Sequence, residues 1–152
     1  MPIAITLHVL AAAIWVGGMF FAYMALRPAA ARLLDPPQRL PLWSHTLRRF
    51  FLWVWIAIVI LPASGYWMIL LVFGGFANVG AHVHIMQTIG IIMIMIFFHV
   101  FFAPYRRMNQ AIAAGDYPKA GEELGRIRRY VGINLLLGLL TIAVASGGGY
   151  YS

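Results

Sequence analysis

Five histidines carry most of the chemistry this chain can offer: His8, His45, His82, His84 and His99. His8 and His84 fall within or at the start of long apolar runs, where an imidazole gains nothing from lipid and so marks a function. Two neutral imidazoles on facing helices can fill both axial positions of a haem iron, or hold a copper ion together with methionine thioethers. A structural hydrogen bond to a backbone carbonyl or to Gln87 is the plainer alternative. The absence of cysteine removes thiolate sites, disulfides and cysteine nucleophiles. Asp35, Asp116, Glu122 and Glu123 all lie outside the apolar runs, which disfavours a proton relay built on carboxylates.

Helical geometry decides which side chains join these histidines. At about 100° per residue, Trp15, Met19 and Tyr23 fall within roughly 60° of His8. Gln87, Met95 and His99 fall within about the same angle of His84. Ionisable groups in a membrane face the bundle interior, so both stripes are expected to face inward and towards each other. His82, about 160° round the helix from His84, is placed at the outer interface. His99 lies about 22 Å below His84, and His45 sits in the segment before the second apolar run. This leaves an outer pair, His8 and His84, and a looser inner pair, His45 and His99. Arg48, Arg49, Arg106 and Arg107 lie close enough to the inner pair to meet the propionates of an inner haem. Met19 and Met95 are the methionines on the two stripes, and Met24, Met86 and Met93 read first as packing.

The elements that must position these groups are transmembrane helices. The chain has 152 residues, of which 62% are hydrophobic and 10% charged, and its mean hydropathy is +0.84. Four apolar runs, roughly 3–26, 50–74, 84–104 and 130–149, are long enough to cross a bilayer core of about 30 Å. The fold class is therefore all-α: one transmembrane domain over 1–152, a four-helix bundle. The start of the chain lacks a basic segment and reads as a retained first span, not a signal peptide. The net charge of +7 comes from two segments only, 27–49 and 105–129. That pattern is the positive-inside signature of cytoplasmic loops and not a nucleic-acid surface. It places both termini in the periplasm of a bacterial inner membrane. Pro36, Pro37 and Pro41 are expected to break the first loop into short interfacial pieces, and Pro62 to kink the second span. The second loop is expected to extend the third span to near Gly115, with a new helix from about Asp116 and Pro118. There Glu122 and Glu123 precede Arg126 on what reads as a solvated, ion-paired face.

An internal repeat is visible when His8 is laid on His84, giving Met19/Met95, Phe21/Phe97 and Pro28/Pro104 without a gap. Downstream, "RRFF" at 48–51 resembles "RRYV" at 128–131, and "ASG" recurs at 63–65 and 145–147. The reading is two hairpins related by an axis along the membrane normal. Gly17, Gly18, Gly65 and Gly90 serve helix contact, within the chain or in a homodimer.

At "LHVLAAAIWVGGMFFAYMALRPAA", "HVHIMQTIGIIMIMIFFHVFFAPYRRM" and "GRIRRYVGINLLLGLLTIAVA" the sequence resembles the CopD family of bacterial inner-membrane proteins, in a stand-alone four-helix form. The resemblance implies copper resistance or uptake, with His8 and one of His84 or His99 carrying the metal-related role. The family is in turn similar to HemJ, a haem-b-binding membrane protein that oxidises protoporphyrinogen. HemJ-like proteins carry a lysine after the histidine of the third span, where this chain has Met86 and Gln87. Three expectations follow. The first is b-type haem on His8 and His84, transferring electrons to or from quinone or a redox protein. The second is Cu(I) passage by Met19, Met95 and His99, and the third a structural subunit of a larger membrane complex.

Overall fold

The computed structural model describes residues 2–72, 74, 75 and 80–147. Tyr150 and Tyr151, expected as interfacial aromatics, and most of the connection after the second span lie outside them. Helix α1 (Pro2–Phe21) passes through a π-helical turn (Ala22–Leu26) into α2 (Arg27–Leu33). Helix α3 (Pro36–Trp67) ends in a second π-helical turn (Met68–Val72). Helix α4 (Ala81–Val100) runs through a third (Phe101–Tyr105) into α5 (Arg106–Ala113), and α6 (Tyr117–Gly147) completes the bundle. Four membrane spans result, Pro2–Leu33, Pro36–Leu71, Ala81–Ala113 and Tyr117–Gly147, each of 31 to 36 residues. At 1.5 Å per residue they reach about 46–54 Å, well beyond the hydrocarbon core, so their basic ends project from it.

The prolines expected to interrupt the first basic segment instead start a helix. Asp35 has extended backbone angles, and Pro36 and Pro37 occupy the first positions of α3, where an N–H would have no helical partner anyway. Gln38 and Arg39 donate their N–H groups to the Asp35 carbonyl, and α3 continues without a break through Pro41 and Pro62. The second basic segment folds as its sequence indicates. Gly115, at φ +73°, closes α5, and Asp116 accepts from Lys119 N at 3.2 Å to open α6. Glu123 differs from expectation. Helix α5 turns back onto α6 and covers it, leaving it 3% exposed between Arg107 (3.1 Å) and Arg126 (3.0 Å).

Packing is dominated by α1 on α3 and α4 on α6, the two hairpins that the repeat implies. Small residues permit the close approaches. A Cβ on Gly18 would overlap the Phe50 ring, whereas Gly17 and Gly90 face open space. The second and third spans meet through edge-to-face aromatics: Phe51 lies 5.2 Å from Phe97 and 5.0 Å from Tyr105, and Trp55 lies 5.3 Å from Phe101. Val16 of α1 and Met93 of α4 both close over Gly138 of α6 at the centre of the bundle.

Burial sharpens the repeat and shifts its register. The covered stripe of α1 is Ala4, Ala11, Trp15, Met19 and Ala22, with His8 half-buried on it. The covered stripe of α4 is Ile89, Met93, Phe97 and Val100, with His82 and Met86 half-buried on it. The two stripes superpose at a spacing of 78 residues (82 − 4, 100 − 22), not the 76 that aligns His8 with His84. In this register His8 corresponds to Met86, Trp15 to Met93 and Met19 to Phe97. The second helices superpose at a spacing of 80, Leu40/Ala120, Leu47/Ile127 and Ile58/Gly138, which is the register of "RRFF" and "RRYV".

Candidate functional site

His8 lies on the inward stripe of α1, and α3 presents the small pair Ser64–Gly65 to it. The Ser64 hydroxyl lies 2.6 Å from the Ile60 carbonyl, 3.2 Å from that of Leu61 and 2.9 Å from His8 Nδ1. A hydroxyl has one proton, and the short contact to the Ile60 carbonyl requires it there. His8 Nδ1 is thus the protonated nitrogen and donates to Ser64 Oγ. The lone pair of the neutral ring is then on Nε2, the atom able to bind a metal. Gly65 leaves space for the ring, since a Cβ there would stand 3.3 Å from His8 Cε1. Ser64 and Gly65 together form the seat of the ring.

The other histidines are distributed around the bundle. His84 is exposed near the N-terminal end of α4, and its carbonyl accepts from Thr88. Gln87 donates to the Tyr66 hydroxyl at 3.0 Å, fastening the third span to the second. His82 is half-buried, and its Nδ1 is covered with no hydrogen-bond partner among the described residues. His99 is exposed and sets its ring edge-on to Tyr130 of α6 at 4.9 Å. His45 lines a cleft of about 930 Å³ on the other side of the third span, so the inner pair is not brought together. Arg48 and Arg49 line the same cleft, whereas Arg107 is tied to Glu123 and Arg106 is exposed. Among the described residues no three His, Asp or Glu side chains converge.

The stripe on the third span therefore faces away from the one sequence geometry selects. Met95 is 64% exposed and points to lipid, while Met93, about 180° round the helix from His84, is 4% exposed. Trp15 and Met19, at 3% and 2%, face inward as expected. Two features of the candidate site escape the sequence. Ser64 is a legible repeat element but not legible as the partner of His8, because 56 residues separate them. Met93 carries no distinguishing signal, because an apolar helix in an apolar solvent has no polar face to mark its outside.

Asn134 adds a polar point to the centre. Its Nδ2 donates to the Met93 carbonyl at 3.1 Å, and its Oδ1 is buried without a partner among the described residues. The buried centre of the bundle thus holds two thioethers, one amide and an indole, with the oriented His8 above them.

A family model described as copper resistance protein D, CopD, matches residues 44–147. The match takes in three spans with Ser64, His45, His82, His84 and His99, and leaves α1 with His8 outside it. No curated protein and no solved structure matches the chain.

Proposed function

The chain belongs to the CopD, copper resistance protein D, family of membrane proteins, and from that premise we propose that it takes up Cu(I) as its substrate at the end of the bundle opposite its basic segments. His8 Nε2 is the first committed ligand. The observation that carries this reading is the Ser64 contact, which leaves that nitrogen's lone pair free and holds the ring in one orientation. The inward stripes of α1 and α4 also carry soft donors. Met86 corresponds to His8 in the structural repeat, and Met93 and Met19 are buried deeper. Thioether and imidazole are the ligand types that select Cu(I) in the absence of thiolates. His82, half-buried on the inward stripe of α4 and one turn above Met86, is the entry ligand.

Charge supports the direction of approach. All eleven Lys and Arg lie in the two segments at the other end of the bundle, so a cation meets least repulsion at the His8 end. By the positive-inside rule the basic end is cytoplasmic and the His8 end periplasmic, in a bacterial inner membrane. Copper is favoured over the b-type haem and electron-transfer role that the sequence raised. His8 is turned onto α3 while His84 is exposed on α4, and α1 and α4 do not form one of the bundle's main packing pairs. The copper reading needs neither quinone nor a second copy of the chain.

The test is competition for Cu(I) between detergent-purified protein and a chromogenic Cu(I) chelator. His8→Ala is expected to weaken binding by tenfold or more, and Met86→Leu and Met93→Leu less. Met95→Leu and His84→Ala, which change outward-facing side chains, leave it unaltered. Wild-type competition by His8→Ala would overturn the proposal, and a Soret band in protein from a haem-replete host would replace it with the haem reading.

A further inference from the structure

At the basic end, the cleft of about 930 Å³ between α3 and the stretch running from the third π-helical turn into α5 has a graded lining. His45, Arg48, Arg49, Leu52 and Trp55 follow one another on one face of α3 at spacings of three, one, three and three residues. Over about 15 Å of helix the wall changes from cationic to apolar, with Phe101 opposite Trp55 at 5.3 Å. At the polar mouth Ser44 donates to Asn109 at 2.6 Å and pins the two walls together. No carboxylate lines the cleft, and neither Arg48 nor Arg49 has an ion-pair partner among the described residues, because Glu123 is taken by Arg107 and Arg126.

A soluble anion would use the arginines and leave Leu52, Trp55 and Phe101 idle. A neutral lipid would use the apolar wall and leave two guanidinium groups unmatched. We infer that the cleft binds one anionic phospholipid of the adjacent leaflet, its phosphodiester between Arg48 and Arg49 and an acyl chain along Leu52 and Trp55. In the proposed orientation that leaflet is the cytoplasmic one. Guanidinium forks suit phosphate oxygens, and basic pockets between transmembrane helices at this level take lipid head groups.

Native mass spectrometry of the detergent-solubilised protein, titrated with phosphatidylglycerol or phosphatidylcholine, tests the inference. Phosphatidylglycerol is expected to add at one tight site and phosphatidylcholine not. Replacing both arginines (Arg48→Gln with Arg49→Gln) is expected to weaken that site by tenfold or more, at about five-fold per cation. The same double change at Arg128 and Arg129, exposed on α6 outside the cleft, leaves it intact. Millimolar inorganic phosphate does not displace the lipid. As an independent readout, phosphatidylglycerol brominated along its acyl chain quenches tryptophan fluorescence, and Trp55→Phe removes most of the quenching that saturates with lipid. Equal retention of the two lipids, equal loss in both double variants, displacement by phosphate, or unchanged quenching in Trp55→Phe would each overturn the proposal.

Discussion

Ser64→Ala is the most informative single change, because it removes one oxygen and leaves every proposed ligand in place. In the wild-type protein the Ser64 hydroxyl spends its proton on the Ile60 carbonyl and receives that of His8 Nδ1 at 2.9 Å. Alanine loses both contacts, but Ile60 keeps its helical N–H donor, so the net loss is the imidazole bond. Hydrogen bonds of this kind contribute about 0.5–1.5 kcal/mol, and those between membrane helices average about 0.6. Global stability should therefore fall by no more than about 1 kcal/mol. Metal affinity should fall further, since groups that orient a ligating histidine typically alter it by about 10–100-fold. In alanine the ring is free to present either nitrogen, and Nε2 is no longer fixed as the acceptor. The assay is Cu(I) competition on wild type, Ser64→Ala, His8→Ala and the double variant. If Ser64 acts only through His8, removing it from the His8→Ala protein changes nothing further, and the cycle shows a coupling of about 1 kcal/mol or more. Strictly additive losses would refute the assignment of the proton and of the free lone pair.

Other expectations concern the scaffold. Glu123→Gln removes a buried charge from two arginines whose side chains are 44% and 53% exposed, so screening limits its cost to about 1 kcal/mol in thermal unfolding. Glu122→Gln, exposed and without an ion pair among the described residues, is neutral by the same measurement. Gly18→Ala forces the Phe50 ring to move and should cost about 1–3 kcal/mol, whereas Gly17→Ala, facing open space, is neutral or stabilising. Asn134→Leu removes a buried carbonyl oxygen that has no partner among the described residues, and should leave stability within about 1 kcal/mol of wild type despite the lost bond to Met93.

Much of the fold was legible because it rests on length, hydropathy and turn chemistry. Four runs of apolar residues, the Gly115–Asp116 turn and the two-hairpin repeat follow from those alone. The prolines at 36 and 37 misled because a proline breaks a helix only where an N–H is needed, and the first turn of α3 needs none, whereas Pro41 lies inside the helix, which continues through it. The site was legible on α1 and not on α4. On α1, His8, Trp15 and Met19 share a face, and the face is the inward one. On α4, His84 was used as the reference for inwardness, but it stands in the first turn of the helix, where the bilayer interface can solvate an imidazole. Using it as the reference then carried Met95 and His99, both exposed, onto the supposed inward stripe, while Gln87 does turn inward to meet Tyr66.

Apolar repeats are aligned poorly by identities and better by burial. Met19/Met95 and Phe21/Phe97 match as letters, yet Met95 lies in lipid while Met19 is in the core. Burial pairs Trp15 with Met93 and Met19 with Phe97, so what is conserved between the halves is the volume filling the centre, not the chemistry of the filler. That asymmetry has a functional consequence. A symmetric bundle with histidines at equivalent places would offer a metal two like ligands. This bundle places imidazole on one half and thioether on the other, the mixed soft set proposed for Cu(I). The proposal of Cu(I) as substrate rests on that pairing of His8 with thioethers more than on either residue alone.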